Sequence, residues 1–262
     1  MNRLQNHLMG LKSRDEKAAI FFITAGDPTL KDSLDMMLTM AESGADCIEL
    51  GMPFSDPIAD GPIIQRSTAR ALKNNITINA ILGIVRDFRK SSDVPVVLMG
   101  YYNPLFHYGL EKAAFDCAEA GVDGLIVADL PFEEGEELQR ITENAGVSLI
   151  YLLAPDIDPE RTQEIVKSSS GFVYCVAQYS TTGVNENSDG VTEETILSLK
   201  EMTNLPVAIG FGISSLEKAE EISQTADGVI IGSWLLKELE GVQNKAECAG
   251  TFVKNVKNAI SS

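Results

Sequence analysis

The sequence predicts an α/β fold, a (β/α)8 TIM barrel in which eight parallel strands alternate with helices. Short β-rich apolar runs recur eight times along the 262 residues, and segments with helical spacing lie between them. The runs are almost continuously apolar, as is typical of parallel strands covered on both faces. An open doubly wound sheet is the main alternative, and the absence of a G-x-G-x-x-G motif after the first strand disfavours it.

The elements follow one another in a regular order. An extra helix is predicted before the first strand, because Leu4, Leu8 and Leu11 recur with the spacing of one helical face. The eight strands are predicted over 18–25, 47–50, 94–100, 124–128, 147–153, 171–177, 206–210 and 228–232.

The junctions from helix to strand repeat as well, in SGADCIEL, AGVDGLIV, AGVSLIYL and TADGVIIG. Gly44, Gly121 and Gly146 occupy the position after a helix where a left-handed backbone is common and a side chain would clash. We therefore expect these three helices to end at glycine.

Two loops are longer than the repeat requires. One follows the second strand and precedes two helix-like stretches, and the other follows the sixth strand. The carboxyl ends of barrel strands carry the active site, so both loops are expected to border it. Residues 178–190, rich in Ser, Thr, Asn and Gly, are predicted to form a lid.

Length and composition narrow the class of protein. A chain of 262 residues can bury one sizeable core, so we expect a single barrel domain over 1–262. Neither a membrane-spanning apolar run nor a signal-peptide core is present in this sequence, which predicts a cytoplasmic protein. The four cysteines lack C-x-x-C spacing and are interpreted as packing residues.

The formal net charge of −17 disfavours nucleic acid and anionic membranes as partners. An anionic ligand would have to be held by oriented backbone N–H groups and helix ends. The only two histidines, His7 and His107, have no partner at metal-ligand spacing, so neither a zinc site nor a Ser-His-Asp triad is predicted.

Three acidic residues stand out in and after the second strand. Glu49 lies inside an apolar run, where a lone carboxylate is costly unless it is paired or used, so either an ion pair or catalysis is expected. Asp56 and Asp60 follow in a loop restrained by Pro57 and Pro62, where an aspartate can also simply cap a turn.

Glycines at the other end of the chain predict a phosphate cradle. Gly183, the GFG sequence at 210–212 and the GSW sequence at 232–234 follow the sixth, seventh and eighth strands. Each glycine alone could be a turn residue. At three successive strand ends they match the place where barrels often bind phosphate, and the Ser233 hydroxyl adds a donor.

Six motifs spread over nearly the whole chain are FFITAGDPT, IELGMPFSDPIADGPIIQ, VVLMGYYNPLF, GVDGLIVADLPFEE, AIGFGIS and DGVIIGS. Together they resemble the α-subunit family of tryptophan synthase, and the second is highly specific. The resemblance implies a (β/α)8 barrel that cleaves indole-3-glycerol phosphate to indole and glyceraldehyde 3-phosphate without a cofactor of its own. It also implies a β-subunit partner in an α2β2 heterotetramer, which carries pyridoxal phosphate and receives the indole.

The resemblance also assigns residues. It makes Glu49 the general acid and base, and makes Asp60 the acceptor of the indole N–H. Residues implied to line the indole and glycerol part of the site are Phe22, Tyr101, Asp129 and Tyr174. Thr182 is implied to support Asp60, and the residues implied around the phosphate are Gly183, Phe211, Gly212, Gly232 and Ser233. Pro53 and Asp56 are implied to face the β subunit.

One segment departs from the commonest family pattern. The chain has Gln178 where many members have Arg, and Ser180 where many have Gly. Gln lacks the charge and the five N–H donors of Arg, so closure of the lid and its coupling to the partner need not follow the common family pattern. A module that mainly activates a β partner, and a free-standing indole-releasing lyase, therefore stay as alternatives to the catalytic subunit.

Overall fold

The computed structural model describes residues 2–154, 158–176 and 191–261. Its strands are β1 (Ala18–Thr24), β2 (Cys47–Gly51), β3 (Val96–Gly100), β4 (Gly124–Val127), β5 (Ser148–Leu149), β6 (Leu152–Leu153), β7 (Val173–Val176), β8 (Val207–Gly210) and β9 (Gly228–Ile231). They form one parallel sheet in the order β5-β4-β3-β2-β1-β9-β8-β7-β6. All eight predicted strand regions therefore contain a strand.

The fifth predicted strand differs from the expectation because it is interrupted. It consists of β5 and β6, separated by Ile150 and Tyr151. β5 pairs with β4, whereas β6 pairs with β7, so the backbone changes its partner between the two halves. The sheet thus closes through this one interrupted strand, and the predicted (β/α)8 barrel is confirmed.

The helices are α1 (Arg3–Ser13), α2 (Leu30–Glu42), α3 (Pro62–Leu72), α4 (Ile78–Arg89), α5 (Tyr102–Tyr108), α6 (Leu110–Ala120), α7 (Glu136–Ala145), α8 (Pro159–Ser168), α9 (Glu193–Met202), α10 (Leu216–Ser223), α11 (Ser233–Glu238) and α12 (Lys245–Ile260), with a 3-10 turn at Phe132–Glu134. Gly44, Gly121 and Gly146 have φ of +101°, +88° and +77°, so the predicted left-handed backbone is confirmed. None of the helices described is long and apolar enough to cross a membrane.

Two layers of apolar side chains build the core. The outer layer packs the strands against the surrounding helices, and the inner layer fills the barrel. The predicted face of α1, formed by Leu4, Leu8 and Leu11, is buried in the inner layer with Ala18 and Cys47, the first residues of β1 and β2. α1 therefore closes the amino-terminal end of the barrel and leaves the carboxyl end for a site.

A set of three aspartates fixes that closed end. Asp46, Asp123 and Asp227 each precede a strand, and each accepts a hydrogen bond from a backbone N–H of the neighbouring strand at 2.8 to 2.9 Å. From α1, the Arg3 guanidinium lies 2.8 Å from Asp123 and the Lys12 ammonium lies 3.1 Å from Asp227. These buried carboxylates are paired with cations, as burial of charge requires.

Candidate active site

A cavity lies at the carboxyl ends of the strands. Its lining residues are Phe22, Glu49, Ile64, Met99, Tyr174, Phe211, Gly212, Ile213, Ile230, Gly232 and Ser233. The acidic residue of the second strand and the glycine turns after β8 and β9 therefore share one cavity, so a single small molecule can touch both. Four lining residues, Ile64, Met99, Ile213 and Ile230, were not predicted from the sequence.

Glu49 sits on the inner face of β2, beside Phe22 of β1 and Val97 of β3 in the sheet register. The residue is 1% exposed, and its Oε1 atom has no hydrogen-bond partner. Burial raises the pKa of Glu49 to about 8, and no cation contributes to that shift. The ion-pair alternative is therefore wrong within the described residues, and at neutral pH the carboxyl group is mostly protonated.

Aromatic rings form the walls around this carboxyl group. Tyr174 is buried, and its ring centroid lies 6.1 Å from that of Phe211. Glycines leave room for the rings, because a Cβ on Gly51 would lie 2.4 Å from the Phe22 ring and one on Gly210 would lie 2.4 Å from the Tyr174 hydroxyl. The result is an apolar space that suits a flat heterocycle.

Asp60 belongs to a second polar group next to the cavity. The Tyr101 hydroxyl donates a hydrogen bond to the Asp60 carboxylate and accepts one from the Ala59 N–H at 3.1 Å. Burial raises the pKa of Asp60 to about 6, and the bond from Tyr101 opposes that rise. At neutral pH Asp60 is therefore mostly ionised, in the opposite protonation state to Glu49.

Asp60, Tyr101 and Asp129 do not themselves line the cavity. Asp129 accepts a hydrogen bond from the Tyr102 N–H at 2.8 Å, which fixes the start of α5. The group nevertheless adjoins the cavity, because the lining residue Ile64 lies in the first turn of α3, just after the loop that carries Asp60.

The turn after β8 has an unusual backbone. Phe211 has a φ of +65° and Gly212 a φ of +81°, so two successive residues are left-handed. This conformation is ordinary for glycine and strained for an aromatic residue, and such strain is concentrated at functional sites. After β9, Gly232 immediately precedes α11, which begins at Ser233. Backbone N–H groups and one hydroxyl are therefore the donors at this end of the cavity.

The remaining predicted residues lie elsewhere. Thr182, Gly183 and the predicted lid over 178–190 fall outside the described residues. Pro53 is half-buried and Asp56 is exposed, with the Ser55 hydroxyl donating to the Asp56 carboxylate at 2.5 Å. Neither lines the cavity. Within the described ranges, no group of three or more His, Cys, Asp or Glu side chains could hold a metal ion.

The sequence of this chain is similar to those of one known protein family. Residues 8–261 match the family model described as "Tryptophan synthase alpha chain". The tryptophan synthase alpha chain of Geobacter sp. (strain M21) is 45% identical over 265 aligned residues, which cover 99% of this chain and 98% of that relative. The tryptophan synthase alpha chain of Thermoanaerobacter sp. (strain X514) is 42% identical, covering 100% of this chain and 98% of the relative.

Solved structures agree with the sequence matches. The crystal structure of tryptophan synthase subunit alpha from Legionella pneumophila str. Paris superposes with a TM-score of 0.90 at 37% identity, covering 99% of this chain and 98% of that one. A chain of Mycobacterium tuberculosis tryptophan synthase superposes with a TM-score of 0.90 at 31% identity, covering 100% and 99%.

Proposed function

The chain belongs to the tryptophan synthase alpha chain family, and from this premise we propose that the cavity described above is its active site. The protein is a lyase of tryptophan biosynthesis that cleaves indole-3-glycerol phosphate and passes indole to a β subunit. The assignment of the site rests on the environment of Glu49. It is a buried, unpartnered carboxyl group on the wall of an aromatic cavity that ends in glycine turns.

The first step uses the proton that burial keeps on Glu49. Cleavage of the bond between indole C3 and the glycerol chain needs a proton at C3, which turns the indole into a cationic indolenine. A carboxyl group whose pKa is about 8 can deliver this proton at neutral pH. Phe22, Tyr174 and Phe211 form the apolar walls against which the indole ring would lie.

Asp60 would stabilise the charge formed in that step. Because its pKa is about 6, its carboxylate is available to accept a hydrogen bond from the indole N–H, whose nitrogen becomes positive in the indolenine. Tyr101 holds the carboxylate in place through its hydroxyl.

The second step returns the proton. The ionised Glu49 removes the proton from the hydroxyl on the carbon attached to indole C3, and the electron pair of that O–H bond forms the aldehyde carbonyl. The C–C bond breaks, and its electrons restore the indole ring. Indole and glyceraldehyde 3-phosphate leave, and Glu49 is protonated again. Glu49 performs both proton transfers and Asp60 balances the charge of the indolenine, so we propose that this subunit needs no cofactor.

The phosphate would bind at the opposite end of the cavity. Among the described lining residues none carries a positive charge. We therefore propose that backbone N–H groups near Gly212 and Gly232, with the Ser233 hydroxyl, hold the phosphate of the substrate. This arrangement suits a protein whose net charge is −17, because it depends on peptide dipoles.

The β subunit would dock on the face that carries this cavity. Ile58, in the loop after β2, is 76% exposed, and Phe106, in α5 after β3, is 60% exposed. Large exposed apolar side chains on one face are typical of a protein interface. We propose that Pro53 and Asp56 face the partner beside Ile58, in the α2β2 assembly that the resemblance implies, with pyridoxal phosphate in the partner. The single domain over 1–262 and the cytoplasmic location stay predictions.

Indole release from indole-3-glycerol phosphate tests the assignment. We expect the wild type to release indole and Glu49→Gln to lower kcat by about 10²- to 10⁴-fold, the usual effect of removing a general acid and base. Asp60→Asn should also lower kcat, because an amide cannot balance the indolenine charge. Glu42→Gln, on an exposed position of α2, is the matched control and should keep wild-type kinetics.

The same assay with a β subunit separates the alternatives. Cleavage that rises when the β subunit is added, together with a complex on size exclusion, supports the catalytic subunit. A wild type without measurable cleavage that still activates the β subunit would overturn the assignment of Glu49 and favour the activating module. Full cleavage without any complex would favour the free-standing lyase.

A further inference from the structure

A second group of charged residues lies outside the cavity, around Asp27 in the loop after β1. Asp27 is 4% exposed. The Arg70 guanidinium donates to both of its carboxylate oxygens, from Nε at 2.8 Å and from Nη2 at 2.7 Å. The Ser67 hydroxyl donates to the same carboxylate at 2.7 Å. Both donors belong to α3, so this helix is fixed to the loop by three hydrogen bonds to one buried group.

The same helix is also fixed to the end of α11. Glu240 follows α11 by two residues. The Arg66 guanidinium of α3 donates two hydrogen bonds to the Glu240 carboxylate, from Nε at 2.9 Å and from Nη2 at 3.1 Å. Arg70 Nη1 lies 3.5 Å from the same carboxylate. Asp27, Arg70, Glu240 and Arg66 therefore form one continuous network, which we call the α3 clamp.

The elements joined by the α3 clamp carry opposite ends of the active site. α3 begins at Pro62, two residues after Asp60, and the Gln65 side chain donates to the Asp60 carbonyl oxygen at 2.8 Å. α11 begins at Ser233, on the wall of the cavity. Within the described residues, the α3 clamp is thus a polar link between α3, which follows the Asp60 loop, and α11, which begins at the proposed phosphate end of the cavity.

Stability alone is a poor reason for such a group. Desolvation of the buried Asp27 carboxylate offsets much of its attraction to Arg70, and the Arg66–Glu240 pair is exposed to solvent, so it also contributes little net free energy. A bidentate guanidinium does fix distance and angle, and an active site loses rate when its groups move by about 1 Å.

We propose that the α3 clamp is a positioning network that sets the separation between Asp60 and Ser233, with Arg70 as its central residue. Arg70 acts through α3 and touches neither substrate nor the reacting atoms. The inference rests on the proposed function only for the identity of the substrate, because the placement of α3 against α11 can be measured without catalysis.

Kinetics of Arg70→Gln and Glu240→Gln test this proposal in the full chain, at a temperature where circular dichroism shows each variant to be folded. R70Q should lower kcat/KM for indole release by about 10- to 100-fold, with most of the loss in kcat, because α3 carries Asp60. E240Q should mainly raise KM, because it frees the helix that begins at Ser233. Arg70→Lys should recover part of the kcat, since it keeps the charge and loses the fork.

The double variant R70Q/E240Q tests whether the residues act as a unit. We expect its loss in kcat/KM to be smaller than the product of the two single losses, because either change already opens the network. Arg14→Gln is the matched control. Arg14 also forms a fork on a carboxylate, that of Glu16, and it lies just after α1, at the closed end of the barrel.

Hydrogen exchange of the backbone amides separates this proposal from the proposed function. In R70Q, amides over 59–66 should exchange about tenfold faster than in the wild type and in R14Q. Wild-type kinetics in folded R70Q, or unchanged exchange over 59–66, would overturn the positioning role even if the melting temperature fell. A wild type that releases no indole would overturn the proposed function, and the exchange measurements would still decide whether the clamp holds α3.

Discussion

The raised pKa of Glu49 predicts that the catalytic residue destabilises the fold, and that Glu49→Gln stabilises it in a pH-dependent way. Burial raises the folded-state pKa to about 8 from the ordinary value of 4.5. The folded chain therefore holds this proton more tightly than the unfolded chain, and the free energy of unfolding falls as pH rises from about 4.5 to about 8. Gln carries no such charge and escapes this loss.

The size of the effect follows from the two pKa values. Compared with acid pH, where both states are protonated, the difference between the two pKa values lowers the free energy of unfolding by about 1 kcal/mol at pH 5.5 and about 4 kcal/mol at pH 8, taking 1.36 kcal/mol for each pKa unit. The gain in stability from E49Q should therefore be about 3 kcal/mol larger at pH 8 than at pH 5.5. For a chain of this size, that difference corresponds to roughly 6–12 °C in melting temperature.

The assay is urea and thermal unfolding of the wild type and E49Q at the two pH values. The difference between pH values is the measured quantity, so the packing and hydrogen bonds of the new amide cancel. Glu16→Gln is the control. Arg14 lowers the pKa of Glu16, so both measurements lie above the range in which Glu16 titrates and the effect of E16Q should be the same at each.

A stability gain from E49Q that is equal at pH 5.5 and pH 8 would refute the reasoning. It would mean that Glu49 is ionised in the folded chain at neutral pH, with a solvated or paired carboxylate. The proton that the proposed first step delivers to indole C3 would then have to come from another group.

Three further predictions concern other parts of the molecule. Tyr101→Phe removes the hydrogen bond that opposes the rise in the pKa of Asp60. The acid limb of the plot of kcat/KM against pH should therefore move from about pH 6 to about pH 7. Tyr151→Phe, which lies outside the cavity, is the control and should leave the acid limb in place. Leu8→Ala should lower the free energy of unfolding by about 2–5 kcal/mol in urea titrations and keep kcat, because Leu8 is buried at the closed end of the barrel; unchanged stability would contradict that burial. Gly210→Ala places a Cβ 2.4 Å from a buried tyrosine hydroxyl in the cavity wall, so steady-state kinetics should show kcat/KM lowered by about 10- to 100-fold. Wild-type kinetics would show that the ring has room to move.

The positions of the strands and the inward orientation of Glu49 are predictable from the sequence, because both depend on local apolar patterns. Met99 and Ile230 were also within reach. Strand side chains alternate between faces, and these two residues lie two positions before Tyr101 and Gly232, which the resemblance assigns to the site. Ile64 is different, since its place in the cavity depends on how α3 packs on the barrel.

Other features depend on long-range contacts that no local pattern records. The bond from Tyr101 to Asp60 joins residues 41 positions apart in the chain, across two helices. The left-handed φ of Phe211 contradicts the ordinary preference of an aromatic residue, so only the surrounding fold can impose it. The break in the fifth strand is likewise a consequence of the two neighbours that its halves must pair with.

The contrast between Asp46 and Glu49 explains why an acidic residue in a strand, or just before one, could not be assigned a role from the sequence alone. The two residues are three positions apart and both are buried. Asp46, at the closed end of the barrel, accepts a hydrogen bond from the Ala19 N–H and lies 2.5 Å from the Lys257 ammonium, so it is paired with a cation and holds the strand. Glu49 lies three residues further along the chain, facing the open cavity, and none of the described cations reaches it. The position along the chain therefore decides which of the two carboxyl groups is paired with a cation and which is left without one, and a buried carboxyl group that keeps its proton near neutral pH, as Glu49 does, is one that can give it away.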